Sequence, residues 1–319
     1  MKSLMLVMER TIPFGRVVPS LTESGLVKKL VLSLAYSNLW LALSAAGQVW
    51  VNARLLGLPP RKLPALLAVM SMYWVYTFAK TVRFDPEADA VNDPDRTAFL
   101  KRWRLPLIVW GISALVVGAY LSWQNSWMAL FIFLLPALAG VLYDVKFLPR
   151  GFKYRRLKDI TGVKGLVVAL AWTILTVGLP ICYHCCRPAT GVVLLVGFWN
   201  FANWFVNTTY FDMGDVSGDR AEGTVTIPIR FGYVTTRRVL HLLNLVAWLS
   251  LAWGVWAGWL PRLAHFPGLI VLVNFAILSR AHSEEADISF ECDVISDGLY
   301  IWAAILLALS GIFLGSGLG

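Results

Sequence analysis

Three aspartates, Asp212, Asp215 and Asp219, come directly after a long apolar run at 190–211. If this segment is helical, their spacing of three and then four residues places the carboxylates within about 60° of one another. Carboxylates that close repel each other and need solvent or a bound cation to neutralise them. Carboxylate oxygens are the ligands that Mg²⁺ prefers, and Mg²⁺ often shares its site with substrate phosphates. We therefore predict a metal site here, against the alternative of a solvated helix end.

A second acidic group follows the second apolar run. Asp85 and Asp89 are four residues apart, and Asn92 and Arg96 follow three and seven residues after Asp89. The first of these aspartates is alternatively an N-cap, because the proline after it suits the first turn of a new helix. If the two acidic groups face the same compartment, they can meet across one cavity.

A basic segment at 143–165 supplies the opposite charge. Cations facing carboxylates make a clamp for a diphosphate, in which acids hold the metal and Lys or Arg hold phosphate oxygens. Lys146 and Lys164 lie nearest to apolar runs, so we expect these two to bind the diphosphate. The lysines and arginines of the segment are Lys146, Arg150, Lys153, Arg155, Arg156, Lys158 and Lys164.

The composition predicts an all-α integral membrane protein. The chain has 319 residues, of which 58% are hydrophobic and 15% charged. We predict about nine transmembrane helices around a central cavity, because the apolar runs are long enough to cross roughly 30 Å of hydrocarbon. Residues 1–29 form an interfacial N-terminal segment and 30–319 the nine-helix domain. The runs are 30–52, 63–82, 105–123, 127–145, 163–182, 190–211, 238–259, 265–281 and 298–316.

The charges are distributed unevenly between the two sides of the predicted bundle. With a cytoplasmic N-terminus, 23 of the 28 Lys and Arg and all 19 Asp and Glu fall on the cytoplasmic side. The basic bias sets this orientation and explains the net charge of +9 without a nucleic acid partner. Since residues 1–29 lack the apolar core of a signal peptide, we expect the mature protein to start near Met1. We expect a prokaryotic cytoplasmic membrane, with the active-site loops on the cytoplasmic side.

Two further groups of residues have ordinary explanations. The first group resembles part of a metal site and consists of Cys182, His184, Cys185 and Cys186. Because a second pair of ligands is missing, we interpret these residues as the end of a membrane span. Aromatic residues near the acidic motifs stabilise a carbocation in one interpretation and pack or anchor the helices in the other. These aromatic residues are Trp74, Tyr76, Phe78, Trp172, Trp199, Trp204 and Tyr210.

These motifs together resemble the UbiA-type intramembrane prenyltransferase superfamily. The second motif, D-x-x-D-x-x-x-D, is complete as Asp212, Asp215 and Asp219. The tail of the first, D-x-x-N-x-P-x-R, matches through Asp89, and the SDG at 296–298 is a weaker similarity. The usual first motif begins N-D-x-x-D, and here the leading N-D falls on Thr81 and Val82. One carboxylate that normally helps to hold metal is therefore absent.

The resemblance implies a Mg²⁺-dependent transferase that ionises an isoprenyl diphosphate and prenylates an aromatic or lipid acceptor within the membrane. It implies that Asp85, Asp89, Asp212 and Asp215 hold Mg²⁺ and that Asp219 supports the site or takes part in deprotonation. Arg96, Lys146 and Lys164 are then expected to bind the diphosphate, and Asn92 to orient it. The altered first motif keeps two alternatives open, a terpene cyclase of the same superfamily and a non-catalytic homologue. A transporter is less favoured, because the middles of the spans hold almost no charge.

Overall fold

The computed structural model describes residues 25–82, 94–144, 157, 160–221 and 223–313, and all regular secondary structure among them is helical. A 3₁₀ turn at Arg262–Ala264 and a π turn at Glu291–Ser296 accompany the α-helices. The α-helices are α1 Gly25–Tyr36, α2 Leu39–Leu55, α3 Lys62–Val82, α4 Pro94–Asn125, α5 Trp127–Asp144, α6 Val163–Cys182, α7 Thr190–Gly214, α8 Val216–Ala221, α9 Ile227–Trp256, α10 His265–Gly268, α11 Ile270–Arg280 and α12 Leu299–Phe313.

The long helices form a closed ring in chain order. From α2 to α7, each helix packs on the one that follows it in the chain. Helix α7 then packs on α9 and α9 on α11, and α12 closes the ring by packing on α2. Helices α2 and α6 also touch across the ring. The ends of α3 and α7 and the start of α4, which border or carry the predicted motifs, therefore belong to one bundle.

Several predicted spans differ from the observed helices. The run at 30–52 is two helices bent by 77°, because Asn38 has φ 62°, a left-handed conformation that Asn tolerates better than most residues. Helix α4 begins eleven residues before the predicted 105–123. Helix α9 contains a non-helical Gly232 at φ 74° and ψ 164°. Apolar runs locate helices, whereas their bends depend on single residues.

By length and apolar composition, four helices of the described residues can cross a membrane, or five if the bent pair α1–α2 is one span. These four are Asp95–Asn125, Val163–Cys182, Ile227–Trp256 and Arg262–Arg280. Two shorter apolar helices, Trp127–Leu142 and Leu299–Ser310, accompany them. The count of nine spans and the cytoplasmic N-terminus remain predictions.

Buried amides tie the middle of the bundle together. Asn200 on α7 donates to Asn52 on α2 at 2.8 Å, and Asn52 donates to the Thr176 carbonyl on α6 at 3.2 Å. One turn further along α7, Asn274 on α11 donates to Asn203 at 2.9 Å and to Asn244 on α9 at 3.0 Å. Polar groups without water must find partners inside the protein. These amides therefore fix how four helices, α2, α6, α9 and α11, pack against α7 and one another.

The contact between α2 and α12 requires a glycine. A Cβ at Gly47 would lie 2.6 Å from the backbone oxygen of Tyr300. Backbone cannot move aside as a flexible side chain can, so any larger residue at this position separates the two helices that close the ring.

We expect Gly47→Ala to destabilise the protein by about 1–3 kcal/mol, the usual cost of overpacking. Gly140→Ala is the matched control, because Gly140 is an exposed helical glycine with no atom within 4 Å of its added Cβ. The unfolding midpoints in detergent should separate the two variants. Equal midpoints would contradict the close contact between α2 and α12.

Candidate active site

The three aspartates of the second motif do not share one helix. Asp212 is on the last turn of α7, the helix ends at Gly214, and Asp219 is on the short helix α8. Asp215 occupies the break, and its N–H still donates to the Phe211 carbonyl at 3.1 Å. Glycine is a poor helix former, so the chain turns here and Asp215 becomes exposed while Asp212 stays buried.

Lys164 neutralises the buried aspartate. Its Nζ donates to Asp212 Oδ1 at 2.6 Å, and the side chains are 37% and 5% exposed respectively. Lys164 is on the first turn of α6, directly before Gly165. A Cβ at Gly165 would approach the Phe205 ring to 3.2 Å, so this glycine lets α6 lie close to α7. Lys164 therefore contacts the second motif directly, and its predicted role in binding the diphosphate remains a prediction.

Asp219 has an unsatisfied carboxylate oxygen. Its Oδ2 is buried and has no hydrogen-bond partner among the described residues. Burial raises the pKa of Asp219 to about 6, the charges of Asp212 and Asp215 add to this, and Lys164 opposes it. A carboxylate held in this way is costly to ionise unless a cation or donor joins it.

An acid-rich cavity of about 300 Å³ lies beside Asp215. Arg96, the last residue of the first motif, lines it, and its NH1 lies 3.9 Å from Asp293 Oδ1. Arg220 holds Glu284 at its rim through two hydrogen bonds of 3.0 and 2.7 Å. The carboxylates around the cavity are Asp215, Glu284, Glu285, Asp287 and Asp293.

The π turn before α12 adds two acidic residues that the motif analysis did not select. Asp293 is inside the turn and Asp297 follows it, four residues apart. Burial raises the pKa of Asp297, Asp293 adds to this, and Lys80 and an Asn207 hydrogen bond oppose it. The SDG similarity and the D-x-x-x-D spacing were the available signals. Neither signal indicates that the backbone forms a π turn. Turns of this kind are rare in proteins, and those that occur are often at functional sites.

The predicted aromatic residues separate into three groups. Tyr76, Trp172, Trp204 and Trp199 form a chain completed by Tyr300, with ring centroids 5.7 to 6.0 Å apart. Trp74 and Phe78 instead line a crevice of about 80 Å³ between α3 and α4. Tyr210 is fully buried in a separate apolar cluster.

Several predicted site residues cannot be placed. Asp85, Asp89, Asn92 and Lys146 lie outside the described residues. In the part of the chain that the structure describes, no three His, Cys, Asp or Glu side chains converge as a metal site, and this includes Cys182–Cys186. A site assembled from both aspartate motifs therefore remains a prediction.

A family model for the UbiA prenyltransferase family matches residues 83–302. The chain belongs to this family. This match confirms the resemblance found in the motifs and the assignment to the transferases of prenyl groups.

Known proteins similar to this chain include two archaeal synthases. The chain is 28% identical over 234 residues to digeranylgeranylglyceryl phosphate synthase of Thermococcus sibiricus, covering 70% of this chain and 75% of that protein. It is 30% identical over 156 residues to the synthase of the same name from Methanothermobacter thermautotrophicus, covering 47% and 48%.

Solved structures share the fold. A UbiA homologue from Archaeoglobus fulgidus bound to GPP and Mg²⁺ aligns with a TM-score of 0.61 at 15% identity, over 87% of this chain and 96% of that one. A homologue from Aeropyrum pernix aligns with a TM-score of 0.59 at 15% identity, over 86% and 97%. The all-helical architecture is thus that of known UbiA homologues.

We predict that Asp219 makes the stability of the metal-free protein depend on pH. Its pKa in the folded state, about 6, exceeds the ordinary 3.8, so its stabilising contribution is present at low pH and is lost as the pH rises through about 6. The expected loss is about 1 kcal/mol, because the side chain is partly solvated.

Unfolding midpoints of wild type and Asp219→Asn, compared in chelator at about pH 4.5 and about pH 7.5, test this linkage. The difference between the two proteins reports the titration of Asp219 together with its electrostatic coupling to Asp212. A difference that does not change with pH would refute it.

Proposed function

We propose that this chain is a Mg²⁺-dependent transferase that ionises an isoprenyl diphosphate and passes the prenyl group to a hydroxyl of a glyceryl phosphate lipid. The observation that carries the proposal is the Lys164–Asp212 pair beside the unsatisfied Asp219, at the end of α7 next to the cavity that holds Arg96 and Asp215. Cations and carboxylates are both present there, as a diphosphate with its metal requires.

The donor chemistry of this end fits Mg²⁺. All the candidate ligands are hard carboxylate oxygens, and Asp215 is exposed on the cavity while Asp219 has an unpaired oxygen. Asp212 and Asp215 would hold the ion with Asp85 and Asp89. When bound, Mg²⁺ supplies positive charge that stabilises a departing diphosphate.

The cations of the chain complete the leaving-group site. Lys164 and Arg96 come from α6 and α4 and lie on either side of the second motif, with Lys146 and Asn92 as further predicted contacts. As the bond between the allylic carbon and oxygen breaks, negative charge grows on the phosphate oxygens, and prepositioned Lys and Arg donors stabilise it. Tyr76, the one member of the aromatic chain that is only partly buried, is the ring proposed to face the positive prenyl group.

The acceptor is proposed from the relatives. Both curated relatives are named for a digeranylgeranylglyceryl phosphate product, which is a prenylated glyceryl phosphate. An acceptor of this class is itself a membrane lipid and reaches the bundle through the bilayer. An aromatic acceptor, and a cyclase that needs no acceptor, are alternative outcomes of the assay below.

We expect Asp215→Asn to lower prenyl transfer by on the order of 10²–10³-fold, because it removes a carboxylate proposed to hold the Mg²⁺ that would stabilise the leaving diphosphate. The assay follows pyrophosphate release and lipid products from purified protein in nanodiscs supplied with prenyl diphosphates, with and without a monoprenylglyceryl phosphate. Asp95→Asn is the control, because Asp95 is an exposed carboxylate on the first turn of α4. Full activity of Asp215→Asn would remove this residue from the site.

Removal of divalent cations by a chelator should abolish prenyl transfer in the same assay, and added Mg²⁺ should restore it. The reason is that, without a cation, the carboxylates at this end of the bundle repel the diphosphate. Turnover that persists in chelator would refute the metal requirement. A cyclic hydrocarbon formed without acceptor would replace the transferase proposal by the cyclase.

A further inference from the structure

The start of helix α9 is broken at a single glycine. Gly232 has φ 74° and ψ 164°, a backbone conformation that is essentially confined to glycine. No atom would lie within 4 Å of a Cβ at this position, so the backbone angles, and not a close contact, require the glycine. The hydroxyl of the buried Thr236 donates to the Gly232 carbonyl at 2.8 Å. The break is therefore held in place from inside the bundle.

The break sets the direction of the next side chain, that of Tyr233. Its hydroxyl donates to the Met213 carbonyl on α7 at 2.9 Å, and its ring packs on the apolar cluster that contains Met213. The last four carbonyls of a helix have no partner within that helix, and α7 ends at Gly214. Tyr233 therefore caps the end of α7 at the point between Asp212 and Asp215.

The first residue of α9 contacts α6. Ile227 lies against Gly162, because a Cβ at Gly162 would be 3.4 Å from Ile227 Cδ1. Gly162 comes two residues before Lys164. Met213, the acceptor of the tyrosine hydrogen bond, comes one residue after Asp212. The broken start of α9 thus contacts both of the helix ends that carry the Lys164–Asp212 ion pair.

Two of the carboxylates proposed to hold Mg²⁺ depend on this helix end. Asp212 is inside the last turn of α7, and Asp215 follows its final residue. Ligands have to be held to within about 0.5 Å of their binding geometry, and residues that do not touch the metal supply that restraint. The Tyr233 hydroxyl acts on the backbone between the two carboxylates, where α7 stops supplying hydrogen bonds of its own.

We propose that Tyr233 is a positioning residue for the metal site. Its hydrogen bond to α7 fixes the spacing of Asp212 and Asp215, and the break at Gly232 holds its hydroxyl in place. This inference rests on the proposed function. It adds the start of α9 to the elements that build the site, although α9 carries none of the proposed ligands.

Tyr233→Phe tests the inference, because it removes the hydroxyl and keeps the ring. The apparent affinity for Mg²⁺ in the prenyl transfer assay should fall by about three- to tenfold, the effect of losing one hydrogen bond. Excess Mg²⁺ should restore the rate to within about twofold of wild type. Mn²⁺ provides a measurement that does not depend on turnover. Its binding in the presence of inorganic pyrophosphate, followed by electron paramagnetic resonance, should weaken by a similar factor.

Tyr183→Phe is the matched control. The Tyr183 hydroxyl also donates to a backbone carbonyl, that of Leu121 at 3.4 Å. Tyr183 follows the last residue of α6, at the opposite end of that helix from Lys164. This variant should therefore keep the wild-type affinity for both metal ions.

Gly232→Ala tests the break independently of the hydroxyl. It should also lower the affinity for Mg²⁺, because alanine adopts these backbone angles only with strain. Gly258→Ala is its control, since Gly258 has φ 73°, likewise has no atom within 4 Å of an added Cβ, and lies beyond the other end of α9. The control should lower the unfolding midpoint and leave the affinity for Mg²⁺ unchanged. If Gly232→Ala does not fold, Tyr233→Phe decides the question.

Other outcomes separate the two proposals. Wild-type affinity for both metal ions in Tyr233→Phe overturns the inference alone. So does a loss of rate that excess Mg²⁺ does not restore, or a loss of affinity that Tyr183→Phe shares, because each indicates a general structural effect. A wild-type protein that binds no Mn²⁺ with pyrophosphate and forms no product overturns the proposed function and this inference with it.

Discussion

The site depends on one buried charge, the carboxylate of Asp212 at the end of α7. A carboxylate with a 5% exposed side chain is costly unless a cation and hydrogen bonds compensate it. Lys164 provides both, but only because Gly165 lets the start of α6 approach α7. The position of α6 is thereby fixed relative to the second aspartate motif.

The buried amides in the middle of the bundle differ from this ion pair because they hydrogen-bond to one another. The amides on α2, α7, α9 and α11 satisfy one another, since Asn200 and Asn52 pair directly and Asn274 bridges Asn203 and Asn244. Such matched groups specify how helices pack in an environment without water. At the motif end, Asp219 keeps an unpaired oxygen and Asp297 is held at a raised pKa. The cavity lined by Asp215 and Asp293 is also at this end, which is where the proposed chemistry is placed.

The sequence predicts the parts of this site that depend on composition and local spacing. Apolar runs identify the helices, and the D-x-x-D-x-x-x-D motif with Lys164 and Arg96 identifies their charged ends. The break at Asp215 and the bend at Asn38 depend on the backbone angles of single residues, which periodicity does not reveal. The π turn depends on contacts such as Trp40 to Val294, which are 254 residues apart. Amide pairs such as Asn52 with Asn200 are likewise distant in sequence. A polar residue inside an apolar run gives no sign in the sequence of whether it will find a hydrogen-bond partner.

Charge balance links the resting site to the proposed reaction. Arg96, Lys164 and Arg220 each lie against a carboxylate, in Asp293, Asp212 and Glu284. A diphosphate alone would have to displace these acids and would leave them uncompensated in a poorly solvated place. If a divalent cation and a diphosphate bind together, as proposed, Asp212 would help to hold the cation, and Lys164 and Arg96 would contact the phosphate oxygens. The charges that now pair within the protein would then be compensated by the two ligands, which is why we propose that metal and diphosphate bind together.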